Sequence, residues 1–153
     1  MSAHCRGAAL KFLKIRPRSV AELREKLENK GFGPQEIKEA IAYLESNKLL
    51  DDRAFTVSWI MHRLARPFGF RRIIIELKQK GIADKIIVQA VTAAKSEYAE
   101  GDIVLELAQR RAERIRGVDG QKKKKRIGGF LLRRGFAADV VMKVLKEIPP
   151  LAG

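Results

Sequence analysis

A glycine-centred segment occurs three times in this chain of 153 residues, and it constrains the fold more than any other feature. The three copies are residues 23–32, 73–82 and 127–136, which align on Gly31, Gly81 and Gly135. In each copy an aliphatic residue stands eight positions before the glycine and a leucine four before it. A basic residue precedes the glycine and a bulky apolar residue follows it. Self-similarity at a nearly fixed period indicates a repeat architecture.

The apolar spacing predicts a helix on each side of the glycine. The two positions before the glycine form an i, i+4 stripe on one helix face. The glycine supplies the left-handed residue that ends this helix, and the basic residue before it suits the negative end of the helix dipole. Apolar residues six, ten and thirteen positions after the glycine predict a second helix. Ser19 with Glu22 predicts a capping box at the first helix, and Asp84 and Asp139 favour the starts of later ones.

A third apolar-periodic stretch precedes each pair, at residues 8–15, 55–64 and 103–115. Asp51 and Asp52 are suited to cap the second of these stretches. Each repeat is therefore predicted to contain three helices.

The predicted fold is all-α, with three tandem three-helix repeats at residues 1–50, 51–100 and 101–153. Serial units of this kind are expected to form an elongated, curved, right-handed or solenoid-like array with a concave basic side. The segment from Gly117 to Lys125 is predicted to be a mobile loop.

The charge of the chain indicates an acidic or polyanionic partner. Lys and Arg number 32 against 18 Asp and Glu, a formal charge of +14. Residues 101–153 hold 13 basic and 6 acidic side chains, and so carry half of that surplus. The run 122–126 falls at the start of a predicted helix, where cations oppose the dipole, which favours a binding role for the run.

The basic clusters supply the candidate binding residues for a partner protein or DNA. They are Arg71, Arg72, Arg110, Arg111, Arg114, Lys122, Lys123, Lys124, Lys125, Arg126, Arg133 and Arg134. Aromatic residues are sparse among them, and Phe130 and Phe136 are predicted to lie in the core. Charge of this kind explains affinity for phosphates but offers no base readout.

No catalytic, cofactor or metal site is predicted. His4 and His62 are the only histidines, and with Cys5 they lack metal-ligand spacing. The chain has no phosphate-binding loop of the P-loop type and no nucleophile elbow. The single cysteine and the lack of a long apolar run predict a cytoplasmic protein outside the membrane.

Three motifs resemble the RecX family of RecA regulatory proteins. The segment 49–55, Leu-Leu-Asp-Asp-Arg-Ala-Phe, is similar to the family's LLDDxxF signature. Residues 19–32, Ser-x-x-Glu-Leu-x-x-Lys-Leu-x-x-Lys-Gly-Phe, also resemble the family. So do residues 69–82, Gly-Phe-Arg-Arg-Ile-x-x-Glu-Leu-x-x-Lys-Gly-Ile, with Phe70 where a proline is frequent. The resemblance covers residues 8–148, and the third repeat is the furthest from the pattern.

The resemblance implies a helical-repeat modulator of RecA recombinase in homologous recombination, DNA repair and the SOS response. Such proteins bind RecA in the groove of its filament on single-stranded DNA and usually inhibit. They reduce filament extension, strand exchange, ATP hydrolysis and cleavage of the SOS repressor. A monomer without a cofactor is expected, with weak direct DNA binding left open.

Two other functions remain compatible with the residues. A sequence-tolerant DNA-binding protein would bind bare DNA tightly, with an affinity that falls steeply as salt is added. A helical adaptor for another acidic protein would affect neither RecA nor DNA.

Overall fold

The structure, a computed structural model, describes residues 3–148, which form nine α-helices and no strand. The helices are α1 (Ala3–Ile15), α2 (Val20–Asn29), α3 (Pro34–Ser46), α4 (Asp52–Ala65), α5 (Phe70–Gln79), α6 (Asp84–Glu97), α7 (Glu100–Arg114), α8 (Gly120–Arg133) and α9 (Ala138–Glu147). They confirm an all-α fold of three successive three-helix repeats. None of these helices is long and apolar enough to cross a membrane.

The repeated glycines end helices as predicted. Gly31, Gly81 and Gly135 have φ angles of +94°, +76° and +91°. This left-handed conformation is accessible to glycine without a steric penalty, and it lets the chain turn directly from one helix into the loop before the next.

The predicted apolar stripes are the cores of the repeats. The residues eight and four before each glycine are fully buried: Leu23, Leu27, Ile73, Leu77, Ile127 and Leu131. In the first repeat they pack with Ala9 and Leu44. In the third they pack with Val104 and Val141. Burying one such side chain contributes roughly 1.5–3 kcal/mol to stability.

The residue contacts divide the chain into two compact units. The first unit is Met1–Trp59 with Glu76–Ala90, and the second unit is Ile60–Ile75 with Val91–Gly153. The division passes through the three helices of the second repeat, so the first unit contains the first repeat, the second unit contains the third, and each contains part of the second.

Both predicted caps form, and one of the two predicted cap residues at α4 has a different partner. Ser19 and Glu22 make a capping box at the start of α2. The Asp51 carboxylate accepts a hydrogen bond from the Arg53 N–H at 2.8 Å and so caps α4. The Asp52 carboxylate instead accepts the Val20 N–H at 2.8 Å, which ties the second repeat to the first. Burial raises the pKa of Asp52.

The prediction of a mobile loop from Gly117 to Lys125 was wrong for most of its length. Helix α8 begins at Gly120, so the lysine run lies in its first turns. The Asp119 carboxylate accepts the Lys122 N–H at 2.9 Å, and this negative cap offsets the unfavourable position of the lysines at the helix start.

A joint between the first two repeats lies within the first unit. The start of α2 meets the end of α5, where the Ser19 hydroxyl donates to the Lys80 carbonyl at 2.6 Å. The Lys80 ammonium donates to the Glu22 carboxylate at 3.2 Å. A Cβ on Gly81 would lie 2.4 Å from the Cβ of Ala21, so only glycine fits there. These five residues are called the first joint.

Glu22 is the charged centre of the first joint. Partial burial opposes its ionisation, but hydrogen bonds from Arg16, Ser19 and Lys80 outweigh burial and lower its pKa to about 2. The carboxylate is therefore ionised at neutral pH and compensates Lys80 directly.

Candidate functional site

All twelve predicted binding residues lie in the second unit, and none is buried. Arg71 and Arg72 are in the first turn of α5, and Arg110, Arg111 and Arg114 are in the last turns of α7. The run 122–126 occupies the first turns of α8. Arg133 is the last residue of that helix, and Arg134 is its C-cap.

Three arginines surround the ring of Phe68, a residue between α4 and α5. The guanidinium carbons of Arg63, Arg72 and Arg134 lie 3.8, 4.4 and 4.8 Å from the ring centroid. A guanidinium over an aromatic face is attracted by the negative face of the ring. Phe68 therefore holds three positive charges in one place.

A second ring, Phe130, extends this cluster. The guanidinium carbons of Arg111 and Arg134 lie 4.5 and 5.2 Å from its centroid. Arg134 thus contacts both rings and connects the arginine of α7 with those near the start of α5.

These side chains line a shallow pocket of about 170 Å³. Its walls are Pro67, Leu107, Arg110, Arg111, Arg114, Phe130 and Arg134. This arginine pocket, together with Phe68, Arg63 and Arg72, is the candidate site. Its lining combines apolar side chains with four arginines, which suits an anionic group carried on an apolar or planar neighbour.

The backbone fixes the position of Arg134 beside the start of α5. The Gly69 N–H donates to the Arg134 carbonyl at 2.8 Å, and the Arg71 N–H donates to the Gly135 carbonyl at 3.2 Å. A Cβ on Gly135 would lie 2.3 Å from the Cβ of Arg72. These five residues are called the second joint, in which the start of α5 meets the end of α8.

Three of the four arginines that line the arginine pocket lack acidic partners among the described residues. Within residues 3–148, no carboxylate lies within 4.0 Å of Arg111, Arg114 or Arg134. Arg110 pairs with Glu106 at 2.6 Å, but both side chains are exposed, so the pair is weak. Guanidinium groups stacked on rings keep their N–H edges directed outward, which suits bidentate binding of phosphate or carboxylate oxygens.

The remaining candidates are not drawn into this pocket. Lys124 and Lys125 line a separate shallow groove of about 370 Å³ with Gly128, Gly129, Leu132, Met142, Leu145 and Lys146. The guanidinium of Arg133 lies beside Gly129. The lysine run is thus a second basic surface, on α8, with an apolar groove next to it.

The structure revises the role of the aromatic residues. Phe136 is fully buried, as predicted. Phe130 packs against the core of the third repeat but also carries Arg111 and Arg134 on its ring. Arg63 and Phe68 were missed altogether. Their only sequence signal was the Arg-rich, aromatic segment 63–72, which has no helical period.

The described residues contain no cluster of three or more histidine, cysteine, aspartate or glutamate side chains that could hold a metal ion. Cys5 is buried, and burial is the first cause of its raised pKa, so its thiol is not activated as a nucleophile.

Comparison with family models assigns each repeat in turn. Residues 5–44 match the first three-helix domain of RecX, residues 51–91 the second and residues 100–145 the third. The chain belongs to the RecX family. The matched segments include α5, α7 and α8, which contribute residues to the candidate site and belong to two different family domains.

Curated relatives agree with this assignment. The regulatory protein RecX of Chlorobium limicola is 31% identical over 92% of this chain and 86% of its own length. That of Chlorobaculum tepidum is 34% identical over 92% and 85%. The Bacillus licheniformis protein is 33% identical over 91% of this chain but only 53% of its own length.

A solved structure shows the same fold. The crystal structure of RecX from Lactobacillus salivarius superimposes with a TM-score of 0.82 and 25% identity. The match covers 94% of this chain and 93% of that one.

Proposed function

We propose that this chain regulates RecA without catalysing a reaction, by binding the RecA filament on single-stranded DNA as a monomer in the cytoplasm. The regulation is inhibitory: filament extension, ATP hydrolysis, strand exchange and cleavage of the SOS repressor decrease. Membership of a family of regulatory proteins supports the general role. The observation that carries the filament as partner is the arginine pocket, because Arg111, Arg114 and Arg134 have no carboxylate within 4.0 Å among residues 3–148 and can bind an external anion.

A RecA filament offers such anions in two forms, DNA phosphates and acidic side chains of the protein. The arginine pocket would hold one of them between its guanidinium groups. Arg71, Arg72, Arg133, Arg134 and the run 122–126 would face the filament groove, and add attraction that depends on salt.

The direct test is a titration of the protein into RecA on single-stranded DNA, followed by the rate of ATP hydrolysis at two salt concentrations. We expect a saturable decrease at both, and tighter binding to the filament than to the bare strand. An unchanged rate at a molar excess over RecA contradicts the proposal.

The lysine run is tested by charge reversal. Lys122→Glu with Lys125→Glu is expected to weaken inhibition several-fold, about three- to tenfold. An acidic side chain at position 122, in the first turn of α8, suits the helix dipole, and position 125 is exposed, so the variant should keep its thermal stability. Lys26→Glu with Lys38→Glu makes the same charge change on exposed positions of the first unit and should inhibit like the wild type. If both variants inhibit equally, the lysine run does not face the filament.

Direct DNA binding is the second candidate, because phosphates also fit the arginine pocket. In that case the bare strand would be bound as tightly as the filament. Its observed affinity would fall linearly with salt on logarithmic axes. An adaptor for another acidic protein would leave both ATP hydrolysis and DNA binding unchanged.

A further inference from the structure

The end of α2 repeats the chemistry of the end of α5. Both helices finish in a lysine followed by a left-handed glycine, Lys30–Gly31 and Lys80–Gly81. In both, the lysine lies over an aromatic ring of the preceding helix: the Lys30 ammonium is 5.8 Å from the Phe12 centroid, and that of Lys80 is 4.3 Å from the Trp59 centroid.

The end of α5 is occupied in the first joint by the start of another helix. Three features of that helix make the contact. Its N-cap hydroxyl, Ser19, donates to the Lys80 carbonyl. Its second residue, Ala21, is small enough to face Gly81 closely. Its third residue, Glu22, pairs with the Lys80 ammonium.

The end of α2 has no such occupant among the described residues. A Cβ on Gly31 would meet no atom within 4 Å. Within the part of the chain that the structure describes, no carboxylate lies within 4.0 Å of the Lys30 ammonium. An open cleft of about 600 Å³ lies beside this end, lined by Ala3, His4, Gly7, Ala8, Lys11, Phe12, Ile15, Lys30, Gly31 and Phe32.

The lining of the cleft selects an acidic and partly apolar occupant. Lys11 and Lys30 carry positive charge, and none of the described residues that line the cleft is acidic. Phe12 and Phe32 supply apolar wall, and Ile15 is 74% exposed beside them. A glutamate near the start of an amphipathic helix matches both features.

We propose that the Lys30–Gly31 end of α2 docks the start of a helix from another protein, in the same way that Lys80–Gly81 docks α2. The docked helix carries a serine or threonine N-cap, a small residue two positions later and a glutamate three positions after the cap. This site lies in the first unit and is independent of the arginine pocket.

A second copy of this chain does not fit the site. Its α2 start is already held in the first joint, and its α5 start is held in the second joint. The remaining homologous helix, α8, has Lys122 three positions after its cap Asp119, where the first joint has Glu22. That lysine would face Lys30 and repel it.

The experiment uses a labelled peptide of residues 17–29, which contains the helix start of the first joint. Binding to the full protein is followed by fluorescence anisotropy. We expect saturable binding that weakens about fivefold when the glutamate at position 22 of the peptide is replaced by glutamine, a change that retains the capping box.

A double-mutant cycle identifies the site. Lys30→Gln in the protein should also weaken binding about fivefold, and the two changes together should cost no more than either alone, because they remove the same ion pair. Gly7→Leu should block the cleft, and its Cβ meets nothing within 4 Å, so the fold tolerates it. Lys26→Gln, on an exposed position outside the cleft, should bind like the wild type. Additive effects of the two glutamine changes, or the absence of saturable binding, overturn the proposal.

Discussion

The two joints of this molecule use one repeat position for different purposes. In the first joint Lys80 precedes the left-handed glycine and is paired with Glu22. In the second joint Arg134 precedes the glycine, and the residue four before the buried aliphatic, where Ser19 stands in α2, is Gly69. The position of Glu22 is taken by Arg72, which stacks with Arg134 on Phe68.

This difference shows that the helix contact and the charge of a joint are independent features. Both joints keep the close contact between a helix start and a glycine at a helix end. Only the first contains the acid that neutralises the basic residue. In the second joint, no carboxylate among the described residues lies within 4.0 Å of Arg134, which lines the arginine pocket and is available to an external anion.

The largest expected effect concerns the left-handed glycine that each joint contains, Gly81 in the first and Gly135 in the second. Gly81→Ala and Gly135→Ala should each lower the free energy of unfolding by about 2–4 kcal/mol, because a left-handed alanine is strained and its Cβ overlaps the facing helix. Gly31→Ala has the same strain without the overlap and should cost about 1–2 kcal/mol. Urea unfolding measures all three. Equal losses would mean that the joints add no steric requirement.

The glycines also show how much of the fold could be predicted from the sequence. Helix ends, the capping box and the core stripes are local sequence patterns. The helix ends and core stripes stand at fixed distances from Gly31, Gly81 and Gly135, so aligning the three glycines was enough to locate them. The long-range partner of Asp52, the Val20 N–H, is set by packing between repeats and has no local signal. The sequence placed the lysine run at a helix start, but Gly117 and Gly120 extended the predicted loop to Lys125. The Asp119 cap starts α8 at Gly120 instead.

The second prediction converts one joint into the other. Arg72→Glu places an acid beside Arg134, as Glu22 stands beside Lys80, and should weaken binding to the RecA filament about tenfold. The fold should be unaffected, because Arg72 is exposed and an acid in the first turn of α5 suits the dipole. Filament co-sedimentation measures the affinity. The control is Arg24→Glu, an equal charge reversal at an exposed position of α2. Equal losses of filament affinity in both variants would refute a specific role of the second joint.

The arginine pocket could be predicted only in part. The basic residues were visible as clusters in the sequence, but the sequence did not show which of them come together in the pocket. Arg111 and Arg134 come together because both stack on Phe130. Phe68, in the irregular segment between α4 and α5, stacks with Arg72. Such contacts depend on the tertiary approach of α5, α7 and α8, which no period in the sequence encodes.

The smallest predicted effect is the pH dependence of stability that arises from Glu22 in the first joint. The folded-state pKa of Glu22 is about 2, below the usual value of 4.5, so its stabilisation is present at neutral pH and is lost as the pH falls from about 4.5 towards 2. Between pH 7 and pH 3 the wild type should lose about 1 kcal/mol more stability than Glu22→Gln. Glu25→Gln, on an exposed position of the same helix, should follow the wild type. A wild-type loss equal to that of Glu22→Gln would show that the ion pair contributes nothing.

The central claim is that Arg111, Arg114 and Arg134, the arginines of the pocket without a carboxylate partner among the described residues, bind the RecA filament. Its most direct test compares Arg111→Gln with Arg134→Gln in one protein against Arg24→Gln with Lys38→Gln in another, by inhibition of RecA ATP hydrolysis on single-stranded DNA. Both variants lose two positive charges, and neither changes a buried residue. We predict that the pocket variant needs at least about fivefold more protein for half-maximal inhibition, while the control inhibits like the wild type. Equal inhibition by the two variants would contradict the account.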